Sequence, residues 1–90
     1  MLQYCILTVE GKLFSSKKDV LIDLGDEKKL IRFDKSIIER TMRVSELYTL
    51  IDALNYLGEI GWELVHVSPL KVIGGTTSGT ETTYLLKISY

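Results

Sequence analysis

His66 is the only histidine in the chain and Cys5 the only cysteine. These are the residue types that carry nucleophilic and acid–base chemistry at neutral pH. A catalytic set needs a nucleophile, a base and a group to orient it. Two residues 61 positions apart on separate apolar strands do not announce one. His66 shares a predicted strand face with Trp62 and Leu64, so a partly buried, hydrogen-bonded histidine is the simpler reading. Cys5 sits in an apolar run and reads as a small buried hydrophobe. One cysteine makes no internal disulfide, and one histidine leaves no Cys/His zinc set. The carboxylates of Asp19, Asp23, Asp26 and Glu27 read as solvated charges, without EF-hand spacing. No metal or other cofactor is expected, and no enzyme activity.

A second chemistry is anion binding. Gly74-Gly75-Thr76-Thr77 opens a run of small residues through Thr80. Successive backbone N–H groups in such a run can form an anion nest, with hydroxyls as added donors. Lys71 is close in sequence, and Arg40 and Arg43 are further phosphate donors. These seven residues are the candidate ligand site. The run lacks the Gly-x-x-x-x-Gly-Lys-Ser/Thr pattern and opens no helix. A plain hairpin loop is the competing reading.

The elements that must position these groups follow from periodicity. The chain has 90 residues, and Leu, Ile and Val supply 29 of them, too many for a disordered chain. The single alanine, Ala53, argues for sheet over a helical bundle. Residues 2–9 are apolar on both alternating faces, as in a central strand covered twice, or one whose second face meets another chain. Val20, Ile22 and Leu24 alternate with Asp19, Leu21 and Asp23. After a turn at Gly25-Asp26-Glu27, residues 28–33 alternate again, which predicts a charged hairpin. Residues 34–44 read as a connector, although Ser36 and Glu39 have capping-box spacing.

The spacing predicts a helix over 45–58, with Ser45 as N-cap and Leu47, Leu50, Ile51, Leu54 and Leu57 on its apolar face. Tyr56 falls opposite that stripe. Gly58 and Gly61 are expected at positive φ, stopping the helix. Residues 62–67 predict a strand that Pro69 ends or bends, with a continuation at 71–73. In 83–90, Tyr84, Leu86, Ile88 and Tyr90 face inward. The expected fold is α+β: a small antiparallel sheet of about five strands with one amphipathic helix on one face. Residues 1–90 form a single domain, with the charged hairpin insert at about 15–43.

The segment Leu57-Gly58-Glu59-Ile60-Gly61-Trp62-Glu63-Leu64-Val65, followed by Val67-Ser68-Pro69, the Gly/Thr-rich loop and Thr83-Tyr84-Leu85-Leu86-Lys87, resembles the small bacterial and phage domain-of-unknown-function 4177 family. The resemblance spans roughly 44–90, with strand 2–9 in the expected place. It implies a small α+β fold and no established activity. The stretch at roughly 10–43 is longer than the family's. Gly58, Gly61, Trp62 and Glu63 read as fold determinants: glycines that reverse the chain, an indole that covers the helix end, and a carboxylate set to face Lys87 across strands.

Charge narrows the partners. Eleven basic and twelve acidic residues give a net charge of −1, without the basic excess of a duplex binder. Residues 12–43 carry a net +3 and residues 44–90 a net −3. The five tyrosines mostly fall on predicted core faces, so nucleic acid is not an expected partner. No apolar stretch is long enough for a membrane span, and the N-terminal residues lack a signal-peptide pattern. The expectation is a cytoplasmic, non-catalytic binding or interaction module, homo-oligomeric, with itself as first partner. The alternative is a phage-type protein sequestering a small anionic, nucleotide-like ligand at a subunit interface. An enzyme of unknown reaction ranks third.

Overall fold

A computed structural model describes residues 2–11, 18–25, 35–69, 71–72 and 79–89, with 71–72 described by backbone alone. The strands are β1 (Leu2–Gly11), β2 (Lys18–Asp23), β3 (Glu63–Val67), β4 (Lys71–Val72) and β5 (Thr80–Ser89). The helices are α1 (Lys35–Met42) and α2 (Leu50–Ile60), with a 3₁₀ turn at Arg43–Glu46 between them. The fold is α+β. The sheet runs β2-β1-β5-β3, and β4 also pairs with β5. Every pairing is antiparallel. β3 and β4 occupy one edge of β5 in succession, interrupted around Pro69, as a residue without an N–H requires.

Alternation sets the core. Cys5, Leu7 and Val9 of β1, Val20 of β2 and Tyr84, Leu86 and Ile88 of β5 are buried on one face, with Leu24 just beyond β2. Val44, Ala53, Leu57 and Trp62 pack onto them from the helical layer. The alternations of β2 and β5 match expectation. The second strand predicted for the hairpin, 28–33, lies outside the described residues.

The helical layer differs from expectation. Residues 35–42, read as a connector, form α1. Its inward positions are Ile37, Ile38 and Thr41, continued by Val44. A threonine in the stripe hid the helical period. Thr41 is buried because the Trp62 indole Nε1–H donates to its Oγ1 at 2.9 Å. Its own hydroxyl donates to the Ile37 carbonyl at 2.7 Å.

α2 starts later than Ser45. Ser45 belongs to the 3₁₀ turn. The N-cap is Thr49, whose side chain accepts from the Asp52 N–H at 3.2 Å. The buried face runs through Leu50, Ala53, Leu54, Leu57 and Ile60, while Ile51 is 64% exposed. Tyr56 is half-buried, because α1 packs along that flank and the Tyr56 hydroxyl donates to the Arg40 carbonyl. Gly58 lies within α2. The positive φ of 122° belongs to Gly61, whose N–H bonds to the Leu57 and Gly58 carbonyls and ends the helix.

Candidate functional site

The helices cover one face of the sheet, and among the described residues no element covers the other. On that open face Tyr4 pairs with Lys87, and Lys87 with Glu63. The next row is Asp23, Ile6, Leu85 and His66, and the next Leu21, Thr8 and Thr83. Leu2, Tyr4, Ile6 and Leu21 are 54%, 48%, 42% and 51% exposed. A groove of about 330 Å³ runs along this face, lined by Leu2, Tyr4, Ile6, Asp23, Gly25 and Leu85 among others. Glu63 and Lys87 are direct cross-strand partners, as expected.

The character changes at the far end. Asp19, Glu10 and Glu81 form a row across β2, β1 and β5, with Lys71 of β4 as the next position. Like charges directly opposite each other repel. Among the described residues no group of three or more His, Cys, Asp or Glu is arranged to hold a metal ion.

His66 is exposed, which corrects the expectation of a partly buried ring. A β-bulge between Leu64 and His66 shifts the register, so His66 pairs with Leu85 on the open face. Leu64, predicted to share its face with the buried Trp62, is 49% exposed at the sheet edge. Cys5 pairs with Leu86 on the core face. The two residues therefore project to opposite sides of the sheet and do not form a pair. Burial, and then the Asp23 charge, push the Cys5 thiol up to about 12, so it stays protonated at neutral pH.

The sequence-predicted ligand residues are distributed over the molecule. Arg40 in the last turn of α1 and Arg43 in the 3₁₀ turn are exposed. The 3₁₀ turn packs on β2, at one side of the sheet, whereas Lys71 belongs to β4 on the opposite side. Gly74, Gly75, Thr76 and Thr77 lie outside the described residues. Tyr4 and Tyr48 are exposed, against the expectation that the tyrosines are mostly in the core. Sequence reasoning did not single out Tyr4, Ile6, Leu21 and Leu85 as a surface. The signal was present in the two-faced apolar run at 2–9.

No family model, curated protein or solved structure matches the chain. No helix among the described residues is long and apolar enough to cross a membrane.

Proposed function

We propose that the protein is a small, non-catalytic, cytoplasmic interaction module that self-associates through the open face of its sheet. The observation that carries this reading is the cluster Leu2, Tyr4, Ile6 and Leu21, each about half exposed on one face. Contiguous apolar surface of this kind marks association sites. Strands β2, β1, β5 and β3, of 6, 10, 10 and 5 residues at ~3.3 Å each and spaced ~4.8 Å apart, give a face of roughly 500 Å². Two such faces bury roughly 1,000 Å² if fully overlapped and about half of that if only the apolar halves meet, the range of a weak, reversible interface. A second copy is the occupant this size suits, because symmetric dimers bury the same patch twice. The acidic row of Asp19, Glu10 and Glu81 sets the arrangement. Directly eclipsed faces bring two such rows together, so the copies overlap on the apolar half with the carboxylates outside. A buried, protonated Cys5 suits a reducing compartment.

Sedimentation analysis and native mass spectrometry of the full chain test this reading. A dimer is expected at micromolar concentration, strengthened by salt as the carboxylate repulsion is screened. Ile6→Lys, at an exposed position, should give a folded monomer. A chain that stays monomeric at millimolar concentration, or an Ile6→Lys dimer of unchanged affinity, would overturn it. Added mass that leaves the native species as a small molecule would move the reading to ligand sequestration.

A further inference from the structure

Gly11 is a glycine whose backbone does not need one. It lies at the end of β1, and among the described residues the positive-φ glycines are Gly25, Gly61 and Gly79. A glycine in a strand weakens it, and where conformation does not require it, close approach by another group is the usual reason. That group is visible here. A Cβ on Gly11 would lie 2.8 Å from the Lys18 Nζ and 3.2 Å from the Thr80 Oγ1. An ammonium and a hydroxyl thus converge on the space a side chain would fill.

Both belong to one row of the sheet, in which Gly11 pairs with Lys18 on one side and Thr80 on the other. The row lies on the helix-covered face, but beyond the buried apolar cluster. A cavity of about 200 Å³ opens there, lined by Gly11, Lys18, Thr80, Thr82 and Tyr84, with Leu50 of α2 as another wall. Tyr84 is only 8% exposed. Among the described residues, neither the Lys18 ammonium nor the side-chain hydroxyls of Thr80, Thr82 and Tyr84 have a protein hydrogen-bond or ion-pair partner. The Lys18 ammonium and the Thr80 hydroxyl meet at a small cavity that Thr82 and Tyr84 also line, and a cationic donor with hydroxyls beside it suits an oxyanion. Leu50 opens α2, so the positive end of that helix stands beside the cavity.

We infer that this cavity is a binding site for a tetrahedral oxyanion, phosphate or the terminal phosphate of a small phosphomonoester. Lys18 supplies the charge, Thr80 and Thr82 the neutral donors, and Tyr84 a donor at the wall. Gly11 keeps the floor open for the ammonium. The volume is below the ~300–1,000 Å³ of typical small-molecule pockets, so the phosphate enters and the rest of the ligand stays outside. Asp19, Glu10 and Glu81 project from neighbouring positions to the other face, and their field weakens the site. The site is independent of self-association, since it lies on the opposite side of the sheet from the open face.

The test is titration of the full chain with inorganic phosphate and, separately, glycerol phosphate, at constant ionic strength with chloride as control. Binding is followed by backbone amide shifts in solution NMR. Saturable shifts centred on Gly11, Lys18, Thr80 and Thr82 are expected with both probes. Lys18→Met should lower the affinity at least tenfold with an unchanged thermal midpoint in the absence of phosphate. Gly11→Ala should do the same by displacing the ammonium, and Glu81→Gln should raise the affinity. Non-saturable shifts, shifts equal to those given by chloride, or unaltered affinity in Lys18→Met would each overturn the assignment. The Lys18 variant decides the matter should Gly11→Ala fail to fold.

Discussion

The Trp62 indole donates its N–H to the hydroxyl of Thr41 at 2.9 Å, inside a core where Thr41 is fully buried. This bond ties the entry to β3 to a helix 21 residues earlier. It also explains why a polar residue stands in the inward stripe of α1. Thr41→Val keeps the shape and removes the acceptor. A buried indole N–H without a partner costs about 1–3 kcal/mol, and that loss is expected in urea unfolding followed by Trp62 fluorescence. Thr41→Ser keeps the bond and should lose less.

The two glycines of the Gly-x-x-Gly-Trp motif should respond oppositely to alanine. Gly61 has φ 122°, and an added Cβ would meet Ile88 Cδ1 at 3.3 Å. Gly61→Ala should cost at least about 1–2 kcal/mol. Gly58 lies in α2 with nothing within 4 Å of an added Cβ. Gly58→Ala should stabilise the protein by about 0.5–1 kcal/mol, since glycine is a poor helix former. Thermal unfolding of the two variants beside the parent chain checks the signs.

The helix caps give a second contrast. Thr49→Ala removes the acceptor of the Asp52 N–H and should lower stability by about 1 kcal/mol. Ser45→Ala, at an exposed position in the 3₁₀ turn, should stay within about 0.5 kcal/mol of the parent. Equal losses in chemical denaturation would place the start of α2 earlier than Thr49.

Cys5 makes stability fall at alkaline pH. Its thiol is raised from an ordinary 9.0 to about 12 in the folded protein. Below pH 9 the thiol is protonated in both states and the native fold loses nothing. Between 9 and about 12 the unfolded chain ionises first, so this contribution is lost as pH rises. Cys5→Ala should flatten the decline across that window. In the parent chain at pH 8, iodoacetamide should label Cys5 only after unfolding.

Strand faces could be read from residue order because alternation with period two is a local property. Val20 and Leu24, or Tyr84, Leu86 and Ile88, declare their buried side without reference to any partner. The sequence by itself also determined that Trp62 is a buried anchor and that Gly61 ends a helix, while the pairing of Glu63 with Lys87 is a matter of register that the sheet settles. Other features depend on which strands are neighbours and how their registers align. Thr41 reads as polar until the indole of Trp62 is beside it, so α1 was missed, and with it the half-burial of Tyr56. The bulge at Leu64/His66 turns His66 to the open face, which no alternation in 62–67 reveals. Lys18, Gly11 and Thr80 are scattered along the chain and become adjacent only when β2, β1 and β5 align. The tertiary structure decided these, because cross-strand pairing joins residues whose relation has no counterpart in local order.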